Sequence, residues 1–388
     1  MNVGSRRTLL CTVAMAGVCL LGATLVAGQT QTEDKPLLAE AVFKNVQVLK
    51  GIPVNEFMGT MGYFSASLGL NCTFCHVTES LQDWAKFADD VPRKRTARRM
   101  ILMVNAINKD NFGGRRAVTC YSCHRGGDRP KVIPSLAEQY STPTEDPNEI
   151  EIAAGLPAGP SADQILDKYL QAIGGVQRIS ALTSFVAKGT YEGFETYHLK
   201  VPVEIFAKAP GQLTTVVHTQ NGDSTTTFDG RAGWIAAADK PVPLLALTAG
   251  AELDGAKLDA ELLFPARIKD TLTQWRVGFP LTAIDDRDVR IVQGTGPGKT
   301  RIKLYFDEET GLLTRQVRYA ETIVGINPTQ IDYSDYREVA GVKIPFHWTV
   351  TWTNGQSITE LSEIQANAPV DAAKFAKPAP AAVTPAKR

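Results

Sequence analysis

Two short strings in the sequence have the form C-x-x-C-H: Cys72–His76 and Cys120–His124. Two thiols three residues apart on one helical turn can reach the two vinyl groups of one porphyrin, and the next residue presents an imidazole to the iron from the same side. The spacing therefore predicts two covalently attached haem c groups. The residues expected to hold them are Cys72, Cys75, His76, Cys120, Cys123 and His124.

The remaining cysteines agree with this interpretation. Cys11 and Cys19 lie in the leading apolar stretch, so the mature chain has no further thiol for a disulfide. A redox-active C-x-x-C pair or a zinc site is the alternative. Zinc is disfavoured because 44 residues separate Cys75 from Cys120, and a histidine directly after each pair has no role in a zinc ribbon.

The N-terminus has the pattern of an export signal. Arg6 and Arg7 precede the apolar stretch Leu9–Ala27, and cleavage of residues 1–28 would leave Gln29 first. The arginine pair also resembles a twin-arginine signal. Because haem is attached outside the cytoplasm to an unfolded chain, we favour the general secretory route and a periplasmic location. An uncleaved membrane anchor is the alternative.

Positive charge is concentrated around the two strings. Residues 29–135 contain 15 Lys and Arg against 10 Asp and Glu, whereas residues 136–388 contain 24 against 31. Two haems would bring four negatively charged propionates, which would roughly neutralise the excess positive charge of residues 29–135. The basic bias therefore does not predict binding to nucleic acid.

An internal repeat precedes the strings. A helix is predicted from Pro53 to Leu68 and another from Pro92 to about Asn108, and glycines follow each before its C-x-x-C-H string. Residues 36–50 are also compatible with a helix.

Haem iron needs a sixth ligand, and the helices of the repeat contain candidates. The three histidines outside the strings, His198, His218 and His347, lie far downstream. Thioether sulfur is the nearer choice, although any one methionine on an apolar helix face is equally explained by core packing. The methionines in the two helices are Met58, Met61, Met100 and Met103.

About a quarter of the chain, residues 40–130, resembles the multihaem cytochrome c subunit of photosynthetic reaction centres. The matching segments are Lys44–Leu49, Glu56–Met61, Ala97–Met100 and Val118–Gly126. In that family each methionine-ligated haem takes its methionine from the helix before its string. The resemblance thus implies that Met61 and Met100 are the sixth ligands, with Met58 and Met103 as alternatives.

The chain also departs from that family. The family has four haems and usually a lipid-anchor cysteine, whereas this chain has two strings and no such cysteine. The resemblance therefore indicates a relative with fewer haems, two instead of four, that serves a respiratory chain. Arg115, Arg116 and Arg125 are candidate partners for the propionates, because guanidinium binds carboxylate through two parallel hydrogen bonds.

The second half has a different pattern. Residues 138–161 are rich in proline and small residues and are predicted to be a linker. Residues 162–376 predict a helix over 162–173, eleven alternating strands and an apolar helical insertion over 244–272. Residues 377–388 are predicted to be a disordered tail. The fold class is therefore multidomain: an all-α dihaem cytochrome c domain over 29–137, then an α+β domain with a curved antiparallel sheet.

Two segments of that second domain, Pro345–Trp348 and Asn367–Phe375, resemble periplasmic lipoprotein-carrier proteins. This weaker resemblance implies a half-barrel with an apolar cavity. The histidines here show no metal-ligand spacing, and Gly294–Gly298 is expected to be a hairpin loop rather than a phosphate cradle. No catalytic constellation is predicted.

The patterns favour an exported dihaem electron carrier whose partners are redox donor and acceptor proteins, with peripheral association with the envelope left open. One alternative is a dihaem peroxidase or other oxidoreductase with an open haem site. Another is a β domain that binds an apolar ligand, with haem as a redox sensor.

Overall fold

The computed structural model describes residues 35–141, 146–149, 152, 159–238, 240–248, 250–278 and 282–381. The predicted signal peptide, part of the predicted linker and the last seven residues of the predicted tail lie outside these ranges. Helices make up the first part of the chain and a large antiparallel sheet the second. Lys35–Arg388 form one unit, so the helical part and the sheet contact each other directly.

The helices in these ranges follow the capping signals of the sequence. The helices are α1 (Ala39–Val42), α2 (Val54–Leu68), α3 (Pro92–Phe112), α4 (Cys120–His124), α5 (Leu136–Tyr140), α6 (Ala162–Ala172), α7 (Val176–Ala181), α8 (Ala251–Leu263) and α9 (Ile268–Thr271). Gly69 and Gly113 end α2 and α3 in the left-handed conformation, with φ of 63° and 60°. Ser161 and Gln164 form a reciprocal capping box at the start of α6.

Short 3₁₀ turns connect these elements. They span Cys72–Phe74, Thr78–Leu81, Trp84–Ala88, Pro147–Glu149, Phe194–Thr196, Pro265–Arg267 and Ala372–Phe375. None of the helices in the described ranges combines the length and apolar character needed to cross a bilayer.

The sheet has fourteen antiparallel strands. They are β1 (Ser184–Gly193), β2 (Val201–Lys208), β3 (Gln212–Thr219), β4 (Gly222–Phe228), β5 (Gly233–Ala236), β6 (Leu244–Leu247), β7 (Thr273–Val277), β8 (Thr282–Ile284), β9 (Arg287–Thr295), β10 (Arg301–Asp307), β11 (Leu313–Glu321), β12 (Ile326–Val339), β13 (Val342–Trp352) and β14 (Gly355–Ala366). Their order is β6-β5-β4-β3-β2-β1-β14-β13-β12-β11-β10-β9-β7, and β8 pairs with β9. The run Gly294–Gly298 lies at a hairpin, as predicted, but Gly294 and Thr295 are the last paired residues of β9, and residues 296–300 form the loop to β10.

The sheet curves around helices. Ile205 of β2 and Leu304 of β10 belong to strands separated by five others, yet both join one buried cluster with Leu166 of α6 and Ile268 of α9. A flat sheet could not bring these strands to the same helices. The predicted curved antiparallel sheet is therefore confirmed.

The outer face of the sheet carries part of the predicted linker. Because side chains alternate along a strand, Tyr305 of β10 points away from the main core. Its hydroxyl donates to the carbonyl of Pro147 at 3.0 Å, and the hydroxyl of Tyr319 donates to the carbonyl of Asn148 at 2.7 Å. Ile152 packs into the small apolar cluster beside them. Pro147, Asn148 and Ile152 of the predicted linker thus contact the sheet.

Two predicted elements differ from the structure. The helix expected over 36–50 stops at Val42, because Asn45 has a φ of 61° and the carboxylate of Glu40 accepts the amide of Gly51 at 3.0 Å, closing a compact loop. The insertion expected to be helical over 244–272 begins as a strand, Leu244–Leu247, which pairs with the open edge of β5. A run of four apolar residues does not by itself distinguish a strand from a helix.

Candidate haem-binding site

The first string forms one tight turn. The amide of His76 donates to the carbonyl of Cys72 at 3.0 Å, the spacing of an α-helical turn. Cys72 is exposed and Cys75 half-buried, and both thiols are free. Burial raises the pKa of Cys75. Both thiols and the imidazole therefore lie within a single turn, as attachment to one porphyrin requires.

The imidazole of His76 packs against an aromatic ring, and one of its nitrogens is buried without a hydrogen bond among the described residues. Its Nδ1 is buried without a hydrogen bond, and its ring lies edge-on against Phe87, with centroids 4.9 Å apart. The backbone carbonyl of Phe87 lies near the ring and favours the protonated form of His76. This carbonyl accepts a hydrogen bond from Nζ of Lys94 at 2.7 Å, whereas Nδ1 of His76 forms no hydrogen bond. Burial lowers the pKa of His76. The lowered pKa favours the neutral imidazole, which is the form that binds iron.

The second string is the helix α4. Thr119 caps it, because its Oγ1 accepts the amide of Ser122 at 3.3 Å while Oγ of Ser122 accepts the amide of Thr119 at 3.0 Å. Cys123 is exposed and Cys120 half-buried, and burial raises the pKa of Cys120 to about 11. Both thiols are free.

His124 is oriented by the chain that follows it. Its Nδ1 lies 3.0 Å from the carbonyl of Gly127, and an N–H at that nitrogen donates to this oxygen. Such a bond defines the tautomer and leaves Nε2 with its lone pair available for a metal. Arg125 (φ 48°) and Gly126 (φ 80°) turn the backbone so that it reaches this position.

The two strings contact each other's helices. The amide of Gly126, after the second string, donates to the carbonyl of Ser67 in α2 at 2.9 Å. The guanidinium of Arg93, at the start of α3, lies 3.5 Å from the ring centroid of Phe74 in the first string. Each repeat therefore supports the string of the other.

The candidate methionines differ in burial. Met61 is half-buried and packs against the core cluster of the helical part, whereas Met58, Met100 and Met103 are exposed. Of the two methionines in the helix before the first string, Met61 is therefore the more buried.

Apolar surface is left uncovered near the strings. Twelve of the seventeen large hydrophobic residues that the described part exposes lie before residue 137, among them Trp84, Met100 and Tyr121. Such a concentration indicates a surface that another group covers. Together with four free thiols and an orphaned imidazole, it fits two flat, apolar haem c groups.

The basic side chains nearby are engaged in part by protein. Arg116, a predicted propionate partner, pairs with Glu321 of β11 at 3.1 Å. Arg98 pairs with Asp90 at 2.8 Å. The downstream histidines also have protein neighbours, as His218 lies 2.8 Å from Asp223. Across the described ranges, no three His, Cys, Asp or Glu side chains converge as a metal site of that kind would need.

One feature of the site was not predicted. Ile323 and Val324, from the hairpin between β11 and β12, complete the core beneath α2. The sequence does contain a signal for a close contact, because Gly59, Gly62 and Ser67 place small residues along one side of that helix.

Residues 21–171 match the family model described as photosynthetic reaction centre cytochrome C subunit. The photosynthetic reaction center cytochrome c subunit of Thermochromatium tepidum is 41% identical over 97 residues, 24% of this chain and 23% of that protein. That of Rubrivivax gelatinosus is 36% identical over 99 residues, 24% of this chain and 25% of that protein. The resemblance predicted from the motifs is confirmed, and the chain spans about a quarter of the length of these relatives.

A LolA superfamily protein from Nitrosomonas europaea aligns with 56% of this chain and 99% of its own, with 13% identity and a TM-score of 0.39.

Proposed function

We propose that the protein is an exported dihaem c-type cytochrome that carries single electrons in the periplasm through two low-spin haems, each with histidine and methionine ligands. The observation that carries the proposal is the pair of C-x-x-C-H turns, each with two free thiols and an imidazole on one turn. The match to cytochrome subunits of photosynthetic reaction centres supports it and suggests redox proteins as partners.

When bound, haem iron supplies one-electron chemistry by cycling between its ferric and ferrous states. Cys72 and Cys75 would hold one haem through thioether bonds, and Cys120 and Cys123 would hold the other. His76 and His124 would be the histidine ligands of the two irons. The carbonyl of Gly127 orients the second of these imidazoles.

The sixth ligands decide between a carrier and an enzyme. With Met61 and Met100 bound, neither iron has an open position for a small molecule, so electron transfer is the chemistry that remains. Methionine ligation also raises the reduction potential relative to two histidines. The exposed apolar residues around the strings would cover the bound haems, and lower exposure of the iron to water would add to this effect.

Counting haems tests the attachment sites. The wild type is expected to hold two covalent haems per chain by haemochrome assay and mass. Cys72→Ala/Cys75→Ala and Cys120→Ala/Cys123→Ala are each expected to hold one. Two haems in either double variant, or none in the wild type, would contradict the assignment.

Optical and paramagnetic resonance spectra test the sixth ligands. A low-spin wild type is expected, and Met61→Ala and Met100→Ala should each convert one haem to a high-spin or ligand-binding form. Met58→Ala and Met103→Ala are the matched comparisons, and a change there instead would move the assignment to those residues. A high-spin wild type that turns over peroxide after reduction would favour the peroxidase alternative.

A further inference from the structure

The helix α2 carries Met58 and Met61, and part of its surface packs against turns of the sheet. The buried positions of α2 include Thr60, Gly62, Tyr63 and Ser67. Most are small or polar, which suits a close contact with backbone and turns rather than an ordinary apolar core.

The hairpin tip between β11 and β12 makes the first contact. The hydroxyl of Thr322 donates to the carbonyl of Gly325 at 2.9 Å and accepts its amide at 3.1 Å, so the tip is internally braced. Val324, 2% exposed, joins the core cluster with Tyr63. A Cβ at Gly325 would lie 2.0 Å from Cζ of Tyr63, so the backbone of the tip packs directly against the tyrosine ring.

Asn327 makes the second contact. Its Nδ2 donates to the carbonyl of Gly59 at 2.8 Å, and the residue is 8% exposed. Gly59 follows Met58 and precedes Met61 by two residues. The bond therefore holds the backbone of the turn that carries both methionines.

The turn between β13 and β14 makes the third contact. A Cβ at Gly62 would lie 2.7 Å from Oδ1 of Asn354 and 2.8 Å from Oγ1 of Thr353. Gly62 is the residue after Met61. The backbone of α2 is thus held by the sheet on both sides of Met61, at Gly59 and at Gly62.

We propose that the sheet positions Met61: Asn327, with the two hairpin tips, holds α2 so that this thioether is kept at the sixth position of the first haem. The proposal rests on the proposed function, in which Met61 is an iron ligand. Asn327 is a positioning residue, since it acts through the backbone of Gly59. The sheet then tunes the redox site, and a ligand or partner that distorts these hairpins would change the strength of the methionine–iron bond.

Competition by added imidazole on the full-length, haem-loaded protein tests this. Asn327→Ala removes one buried hydrogen bond to α2, and it is expected to raise the apparent affinity of the first haem for imidazole about five- to tenfold. The reduction potential of that haem should shift downward and its methionine–iron absorption band should weaken. The matched control is Glu338→Gln, an exposed residue of the same strand β12, which should leave all three readouts at wild-type values.

A double-variant cycle separates positioning from folding. In a Met61→Ala background, Asn327→Ala should no longer change imidazole affinity, because the ligand it positions is gone. Lower thermal stability with unchanged affinity, potential and band in Asn327→Ala would overturn the proposal. If that variant does not accumulate, Asn354→Ala at the third contact makes the same comparison. A wild type whose first haem lacks the methionine band, or whose spectrum is unchanged in Met61→Ala, would instead overturn the ligand assignment.

Discussion

The amide of Gly126 donates a 2.9 Å hydrogen bond to the carbonyl of Ser67, joining the loop after the second haem motif to the end of the helix before the first. Gly69, two residues later, packs directly on the carbonyl of Gly126. The two repeats are therefore one structural unit, and a change at the end of α2 affects both motifs.

Gly69→Ala is expected to destabilise the protein more than an ordinary glycine substitution. A side chain in the left-handed conformation costs about 1–2 kcal/mol. A Cβ at Gly69 would also lie 2.2 Å from the carbonyl oxygen of Gly126, and such overpacking costs about 1–3 kcal/mol more. Denaturant unfolding of the haem-loaded protein measures the sum.

Gly113→Ala is the matched control for that measurement. Gly113 also ends a helix, with a φ of 60°, but nothing lies within 4 Å of its Cβ position. The Gly113→Ala variant should therefore lose only the free energy of unfolding that the left-handed conformation costs. Equal losses for the two variants would mean that the contact with Gly126 is not tight.

Lys303 should make stability rise with pH. It is 4% exposed, its Nζ donates to the carbonyl of Asn148 at 2.8 Å, and its pKa is lowered to about 8 by burial and by Arg301. Between pH 8 and 10 the unfolded lysine keeps its proton while the folded one loses it, so the free energy of unfolding increases by up to about 1.4 kcal/mol per pH unit. Above pH 10 the buried Tyr319, whose pKa is raised to about 12, opposes this.

Urea unfolding at several pH values between 7 and 10 checks the effect. Lys303→Met should abolish the rise, because no proton is released on folding at that position. Lys343→Met, at an exposed lysine of β13, should keep it. A wild-type curve parallel to that of Lys303→Met would contradict the lowered pKa.

The pair Asp259–Arg318 connects α8 to the sheet. Nη1 of Arg318 lies 2.9 and 2.8 Å from the two carboxylate oxygens of Asp259. The side chain of Arg318 is 17% exposed and that of Asp259 is 31% exposed. Asp259→Ala leaves a mostly buried guanidinium unpaired and should cost about 2–4 kcal/mol, less than for a fully buried pair. Asp259→Ala/Arg318→Met should cost less than the single variants added together.

Chemical denaturation of the four proteins in this cycle provides the test, and additive losses would show that the two charges do not interact. The exposed pair Lys200–Glu360, at 2.7 Å, is the comparison. Glu360→Ala should change stability little, because water and salt screen such pairs.

The buried carboxylate of Asp254 should control the loop between β9 and β10. It accepts the amides of Gly298 at 2.9 Å and Thr300 at 3.3 Å. Asp254→Ala leaves both amides without this acceptor, so their hydrogen exchange should accelerate about tenfold or more. Asp270→Ala, at an exposed carboxylate of α9, should leave these rates unchanged; unchanged rates in Asp254→Ala would show that the loop is held by other contacts.

Local signals predicted much of the architecture. Prolines at the start and glycines at the end of α2 and α3 lie where the helices begin and end. Alternation along segments such as Arg301–Asp307 identified strands, because a period of two residues is a property of the backbone itself. The loop around Asn45 and the edge strand Leu244–Leu247 were missed, since each depends on a partner distant in the chain.

The haem motifs were determined by the sequence alone, because two thiols and an imidazole on one turn need only five consecutive residues. Which surface supports that turn was decided by the tertiary structure. The contacts of Asn327 with Gly59 and of Gly126 with Ser67 join residues 268 and 59 positions apart. Pairings at such separations arise from packing, for which a local pattern has no signal. The first joins the sheet to α2, and the second joins the two repeats.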